Sequence, residues 1–287
     1  FDTHFTPEAG NALLAAVRAL TDKPVRYVVN SHGHASHTHG NQVFAGAHIL
    51  SSTNARRGML EVDKPSLDRT LRSAKSQLET LSRDAAREPD LSRRQALRAQ
   101  VKAREEYLQA ITRLVITPAT AVTDGNWTLV DGKPEIRVLS PGNGHTDGDI
   151  VLHLPERKVV FAGCLFFNQA VPNVQDAHML EWIRTLDALL KLDADVFVPG
   201  HGPAGTKQDV GAFLRYLEDL KSVVQEAVDR GDTVEQAVQA VGLPGRYASY
   251  RFQNLFPSNV QKMYSELKAL QLAADPGAAA KPEAKKP

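Results

Sequence analysis

The stretch VRYVVNSHGHASHTHGN, residues 25–41, joins a short apolar run to a loop rich in histidine. Residues 25–29 are typical of a buried β-strand. Of the 10 histidines in the chain, His32, His34, His37 and His39 all lie in this loop. Imidazoles two residues apart at the end of a strand can point toward one cation, and zinc binds such nitrogens at about 2.0–2.1 Å. The cluster therefore predicts a metal site.

Three further candidate ligands follow predicted strands in the same way. His145 lies in the loop PGNGHT at residues 141–146, and His201 lies in PGHGP at residues 199–203. Glycine beside each histidine allows the close backbone approach that a site built from distant segments requires. Cys164, the single cysteine, follows VVFAG at residues 159–163. It is either a thiolate ligand of zinc or a small buried apolar side chain.

Composition limits the classes of partner. The 287 residues carry 34 basic and 33 acidic side chains, for a net charge of +1, so there is no excess charge to attract nucleic acid or an anionic membrane. No run approaches the roughly 20 apolar residues of a membrane helix. We therefore expect a soluble protein acting on a small-molecule substrate, with no nucleic acid and no membrane as partner. The compartment, periplasmic or cytoplasmic, stays open, because no signal region is present in the sequence.

Mixed strand and helix patterns predict an α/β protein. A strand is expected at residues 43–50 and a helical hairpin at residues 67–114, with a break at Pro89. The expected later strands are 127–130, 135–139, 149–154, 158–162 and 196–198. The expected other helices are 7–20, 179–190, 208–228, 234–241 and 259–272. The end of the chain, residues 273–287, has the composition of a disordered tail.

The segment SHGHASH, residues 31–37, resembles the HxHxDH signature of the metallo-β-lactamase superfamily. The loops around His145, Cys164 and His201 are similar to the later motifs of that family, in the same order. Phe1-Asp2-Thr3 resembles the end of the early strand that carries the family's structural aspartate. The resemblance covers roughly residues 1–205.

The resemblance implies an αββα sandwich with a zinc centre of one or two ions. Its early strands would precede residue 1. By motif position, the first zinc would be held by His32, His34 and His145, and the second by His37, Cys164 and His201. Metal-bound hydroxide would then hydrolyse an ester, thioester, lactone or lactam bond. The expected domains are a metallo-β-lactamase-like domain at 1–205 with a helical insertion at about 65–115, a helical C-terminal extension at 206–272, and the tail at 273–287.

Two positions depart from the family pattern. Ser36 stands where the family usually has an aspartate that ligates the second zinc, which predicts weaker binding of that ion. Cys164 replaces the bridging aspartate of most hydrolases in the family, as it does in cysteine-containing metallo-β-lactamases. Unlike those enzymes, the chain has Phe167 in place of a lysine three residues further on. The alternatives are therefore a weakly active or non-catalytic metal-binding relative, and a β-lactamase proper.

For several residues and segments, the sequence is consistent with more than one role. Ser36 and Asp147 are candidates to hydrogen-bond the ligands, and Asp147 and Asp149 could equally cap a turn. The hairpin could cover the active site, form the seam of a homo-oligomer or be a solvated helical pair. The remaining histidines are expected to be structural or solvent-facing. They are His4, His39, His48, His153 and His178.

Overall fold

The computed structural model describes residues 1–129 and 134–274, which form two compact units. The first unit is Phe1–Asp124, and the second begins at Gly125. Residue 130 of a predicted strand and most of the predicted tail lie outside the described residues. The first two residues of that tail, 273 and 274, are helical.

The first unit alternates short helices with parallel strands. Its sheet has the order β1-β2-β3, with Val28 opposite Ile49 and Leu50 opposite Ala121. The elements are α1 (Pro7–Leu20), β1 (Tyr27–Val29), α2 (Ala35–Thr38), a 3-10 helix (His39–Phe44), β2 (His48–Ser52), α3 (Thr53–Gly58), a π-helical turn (Met59–Asp63), α4 (Lys64–Arg87), α5 (Leu91–Thr112) and β3 (Ala121–Thr123).

The start of β2 corrects the sequence prediction. A strand was expected from residue 43, but Val43 and Phe44 belong to the 3-10 helix and the strand begins at His48. Phe44 is buried against Val28 and Ile49, so its apolar character reflects the core under α1 and not a strand. An apolar run of this length does not distinguish the two structures by periodicity.

The helical segment between β2 and β3 contains two long helices. α4 ends at Arg87 and α5 begins at Leu91, so the break lies at the predicted Pro89. Asp90 caps α5 by accepting a hydrogen bond from the Arg93 amide at 2.8 Å. The two helices pack against each other.

The second unit is a mixed sheet with helices that bury its apolar side chains. The strand order is β4-β5-β6-β7-β8, antiparallel as far as β7, and β8 runs parallel to β7. A parallel pair needs a crossover, and α6 supplies it. The elements are β4 (Trp127–Leu129), β5 (Ile136–Leu139), β6 (Val151–Leu154), β7 (Val159–Phe167), α6 (Met179–Leu190), β8 (Val196–His201), α7 (Lys207–Arg230), α8 (Val234–Ala240) and α9 (Phe256–Ala274).

Two strands of this sheet are longer than predicted. β7 was expected to end at residue 162 but continues to Phe167, and β8 was expected to end at residue 198 but continues to His201. Cys164 therefore lies within a strand, and His201 is the last residue of one. Their pairing is irregular around Gly163, whose φ is 54°. A local irregularity of this kind hides the end of a strand from pattern analysis.

The C-terminal helices belong to the core of the second unit. α7 and α9 pack together, and both contact α6. Glu266 of α9 accepts hydrogen bonds from the backbone amides of Met179 and Leu180 at 2.8 and 3.0 Å. These are orphan donors of the first turn of α6, and a carboxylate is favourable at that end of a helix. Among the described residues, every helix is too short or too polar to cross a lipid bilayer.

Candidate metal centre

The histidine loop of the first unit brings three imidazole rings into contact. The ring centroids of His32 and His34 are 4.6 Å apart, and those of His32 and His37 are 4.4 Å apart. His32 is fully buried and His37 is 5% exposed. The cluster is suited to presenting neutral nitrogen donors to one cation, as zinc requires.

Asp2 determines which nitrogen of two histidines is protonated. Its Oδ2 atom lies 2.8 Å from His37 Nδ1 and accepts a hydrogen bond from Ser31 Oγ at 2.9 Å. A carboxylate only accepts, so His37 must donate from Nδ1. The Ser31 hydroxyl gives its single proton to Asp2, so it accepts from His32 Nδ1, which lies 2.8 Å away. In their neutral form, both rings therefore carry the proton on Nδ1 and the lone pair on Nε2, which is the tautomer of an Nε2 metal ligand.

A buried polar network holds this loop in place. Asn30 and Asn41 exchange two hydrogen bonds, at 3.0 and 2.9 Å, and both are fully buried. The backbone oxygen of His37 accepts from the Thr3 amide at 2.8 Å and from Asn30 Nδ2 at 3.2 Å. Sequence reasoning missed Asn30, Asn41 and Thr3, because their partners lie up to 38 residues away along the chain. Their only signal is their position beside the motif.

Ser36 lies on the same short helix as His37. It is exposed, whereas His37 is buried. α2 begins directly after His34, so the three ligand candidates straddle the start of this helix.

In the second unit, His145 is held by a loop that lies on α6. His178 N donates to the Gly144 oxygen at 2.8 Å, and Thr185 Oγ1 donates to the Asn143 oxygen at 2.6 Å. A Cβ at Gly144 would come within 2.8 Å of the Trp182 ring, so only glycine allows this approach. His145 is 3% exposed, and its ring centroid lies 5.7 Å from that of Trp182.

Asp149 closes the same loop from its other end. Its two carboxylate oxygens accept hydrogen bonds from the amide and the hydroxyl of Thr146, at 2.9 and 2.7 Å. Burial raises the pKa of Asp149 to about 7, although the bonds from Thr146 oppose the shift. Asp149 therefore caps the turn, one of the two roles considered from the sequence, and a further hydrogen bond connects its carboxylate to the backbone of the candidate ligand His145. Asp147 is exposed.

Cys164 and His201 are brought together by the pairing of β7 with β8. A Cβ at Gly200 would lie 2.5 Å from Cys164 Sγ and 2.8 Å from Cys164 N, so β8 passes directly against the cysteine. His201 is the next residue, and its backbone oxygen accepts from Asn168 N at 3.0 Å. Cys164 is 2% exposed. Glycine at position 200 is thus a packing requirement of this pair, in agreement with the close backbone approach expected from the sequence.

The ring of Phe167 connects the two histidines of this unit. Its centroid lies 5.1 Å from that of His201, with the planes 25° apart, and 5.6 Å from that of His145. Phe167 is 3% exposed. The structure therefore groups the six predicted ligands as His32, His34 and His37 in the first unit and His145, Cys164 and His201 in the second.

The other histidines have different surroundings. His153 is buried and its Nε2 lies 3.2 Å from the Asp193 backbone oxygen. His39 Nε2 lies 3.5 Å from Asp63 Oδ2, and the His39 ring stacks on Phe5 with centroids 5.6 Å apart. His4 and His48 are exposed, and His178 is half-buried.

Comparison with known sequences shows that the six candidate ligands lie within the match to a single protein family. A sequence model of the metallo-beta-lactamase superfamily matches residues 1–201, which include all six candidate ligands. The type 2 metallo-beta-lactamase of Bacillus sp. (strain 170) is 35% identical over 95 residues, 31% of this chain and 36% of that protein. The linear primary-alkylsulfatase of Pseudomonas sp. (strain ATCC 19151) is 25% identical over 271 residues, 87% of this chain and 48% of that protein. The chain thus spans between a third and a half of the length of these relatives.

Comparison with solved structures identifies the same fold. A metallo-beta-lactamase from Pontibacter korlensis superposes with a TM-score of 0.54 at 20% sequence identity, over 76% of this chain and 80% of that one. At this identity the likeness concerns the fold alone. It confirms the α/β fold class that the sequence motifs implied.

Proposed function

The chain belongs to the metallo-β-lactamase superfamily, and on this premise we propose that it is a zinc-dependent hydrolase of an ester, thioester, lactone or lactam bond. The proposed ligands are His32, His34 and His145 for one ion and His37, Cys164 and His201 for a second. The superfamily typically binds zinc and consists largely of hydrolytic enzymes.

The observation that carries the proposal is the hydrogen-bonded series from Asp2 through Ser31 to the histidines. It gives His32 and His37 the tautomer that a metal ligand needs. Five imidazoles and one thiolate form a borderline-soft donor set, which suits zinc better than magnesium or calcium. The donor set therefore fits the metal that the family implies.

The side chains of this chain have three tasks in the proposed reaction. Zinc, when bound, acts as a Lewis acid and lowers the pKa of a water molecule to about 7. Asp2 and Ser31 orient two of its ligands. Phe167 and Trp182 pack against His145 and exclude solvent from that side of the ring. No serine or cysteine nucleophile is required, so Cys164 is assigned to the metal.

A second candidate substrate is a sulfate ester of a primary alcohol. The alkylsulfatase match extends over 87% of the chain, whereas the Bacillus lactamase match covers 31%. The alkylsulfatase match is long enough to extend beyond His201 into the C-terminal helices. The lactamase match is too short to include both the six candidate ligands and those helices. Phe167 also argues against a dedicated β-lactamase, because it replaces a lysine with a buried apolar ring.

The proposal is tested by metal content and by hydrolysis. The purified chain is dialysed against zinc, analysed for bound metal and assayed with a chromogenic lactam, a lactone, a thioester, a nitrophenyl ester and an alkyl sulfate. We expect at least one equivalent of zinc and turnover of one substrate class that a chelator abolishes and zinc restores. His34→Ala should lower both metal content and turnover, whereas His48→Ala, which removes an exposed histidine of the same unit, should change neither.

Two results would contradict the proposal in different ways. Zinc below one equivalent would exclude the metal centre. One or more equivalents of zinc without turnover on any substrate would favour the non-catalytic metal-binding alternative. Turnover of the lactam alone would favour a β-lactamase.

A further inference from the structure

Phe252 has an unusual backbone and an exposed ring. Its φ is 60°, in the left-handed region that a bulky residue rarely adopts, and 41% of its surface is exposed. A left-handed conformation of this kind persists only where the surrounding structure imposes it, and such residues cluster at functional sites. Phe252 directly precedes a 3-10 helix (Gln253–Leu255), and its backbone oxygen accepts a hydrogen bond from Leu255 N at 2.9 Å.

The segment after β7 holds Phe252 in this conformation. Arg251 N donates to the Gln169 oxygen, and Val171 N donates to the Arg251 oxygen, both at 2.9 Å. Gln169 is itself left-handed, with a φ of 55°. Backbone hydrogen bonds therefore fix Arg251, the residue directly before Phe252, against Gln169 and Val171 of the chain that continues from β7. The C-terminal region is thereby tied to the strand that carries Cys164.

These bonds place the ring of Phe252 against a proposed metal ligand. Its centroid lies 6.2 Å from that of His201, with the planes 85° apart. The buried ring of Phe167 stacks on the same imidazole. The Arg251 guanidinium lies 4.9 Å from the centroid of the Phe252 ring. The His201 imidazole thus contacts two aromatic rings. The buried ring of Phe167 stacks on its face, and the exposed ring of Phe252 lies perpendicular to it.

We propose that Phe252 is a specificity-determining residue, whose exposed ring packs against an apolar chain of the substrate next to the bond that is hydrolysed. The inference rests on the proposed function, because it takes His201 as a ligand of the catalytic metal. An exposed aromatic ring beside a proposed metal ligand would contact substrates whose apolar group extends from the scissile bond. A methyl group is too short to cover the ring, and a longer alkyl or acyl chain covers it.

The first test compares substrates that differ only in chain length. The zinc-loaded chain is assayed with nitrophenyl acetate, butyrate and octanoate. We expect kcat/KM of wild type to rise with chain length, and Phe252→Ala to lower kcat/KM for the octanoate about fivefold to tenfold more than for the acetate, mainly through KM. Phe252→Tyr retains the ring and should retain the preference. Leu270→Ala, which removes an exposed apolar side chain from α9 of the same unit, should leave it unchanged.

The second test does not depend on turnover. Binding of octanoate and acetate to the zinc-loaded protein is measured by calorimetry for wild type and Phe252→Ala. We expect tighter binding of octanoate to wild type, and loss of that difference in the variant. Equal affinities of wild type for the two anions would overturn the inference even if the enzyme is active.

Other outcomes separate the two proposals. If Phe252→Ala lowers activity on every ester equally and also loses zinc, the ring only supports His201 and the specificity role is wrong. If wild type binds octanoate more tightly through Phe252 but hydrolyses none of the substrates, the binding surface stands and the proposed function fails. Retention of the full chain-length preference by Phe252→Ala would contradict the inference directly.

Discussion

Replacement of Asp2 by asparagine changes the hydrogen-bonding character of one atom and leaves the shape of the side chain nearly unchanged. In the wild-type chain, Oδ2 accepts from both His37 Nδ1 and Ser31 Oγ. Oδ1 accepts from the Ser31 amide at 2.7 Å, which keeps the asparagine oxygen on that side. The new Nδ2 group therefore faces two groups that formerly donated.

The rearrangement should reach both histidines. Facing a donor, His37 Nδ1 must accept, which moves the ring proton to Nε2. The Ser31 hydroxyl then turns its proton toward His32 Nδ1, so His32 is also protonated on Nε2. Both rings lose the lone pair that would coordinate the metal. Loss of a hydrogen-bond partner behind a ligand lowers metal affinity about 10-fold to 100-fold, which equals about 1.4–2.7 kcal/mol.

The assay is zinc competition against a chromogenic chelator, with imidazole ¹⁵N chemical shifts as a direct report of the tautomers. We expect Asp2→Asn to weaken zinc binding by that factor and to shift the His37 proton to Nε2. Asp22→Asn, which changes an exposed carboxylate of the same unit, should have no effect on either measurement. The apo variant should lose about 2 kcal/mol of stability, because two hydrogen bonds to a carboxylate are replaced by two weaker hydrogen bonds from a neutral amide. Unchanged zinc affinity with His37 still protonated on Nδ1 would refute the reasoning.

Three further substitutions test separate parts of the proposed centre. Ser36→Asp supplies the carboxylate that the family usually has, so zinc content and turnover should both rise; if neither rises, Ser36 does not limit the site. Cys164→Ala removes the thiolate ligand and should lower zinc content by elemental analysis, and unchanged zinc would assign Cys164 to packing alone. Gly200→Ala adds a Cβ 2.5 Å from Cys164 Sγ, so thermal unfolding should show a loss of about 1–3 kcal/mol. Gly58→Ala, whose added Cβ meets nothing within 4 Å, is its control and should be neutral or slightly stabilising.

Local chemistry explains which elements could be predicted. The α1 helix has the predicted bounds because Thr6 caps it by accepting from the Ala9 amide and Pro7 occupies its first turn. β7 was predicted too short because Gly163 breaks its pairing, although the strand resumes beyond it. A pattern that depends on neighbours in sequence finds caps and turns, and it does not find a strand that continues through an irregularity.

The residues of the candidate site also fall into those that local motifs predict and those that they do not. The six candidate ligands could be named because histidine and cysteine next to glycine at strand ends form local motifs. The series through Asp2 and Ser31 could not be derived from those motifs, since Asp2 is 29 residues from Ser31 and 35 from His37. The exposure of Phe252 and its position against His201 gave no signal at all in the sequence, because both follow from a backbone conformation imposed by a distant loop.

Phe167 replaces the lysine that cysteine-containing metallo-β-lactamases have at this position, and its ring also changes the packing around two candidate ligands. From the sequence it is a lysine lost from a substrate-binding position. In the structure its ring is buried and stacks on His201, with His145 on another side. A lysine there would place an ammonium group among apolar and imidazole rings, where desolvation opposes the charge. Phe167→Lys should therefore disturb the packing around His145 and His201, measured as a lower temperature of thermal unfolding, before it could create affinity for a carboxylate.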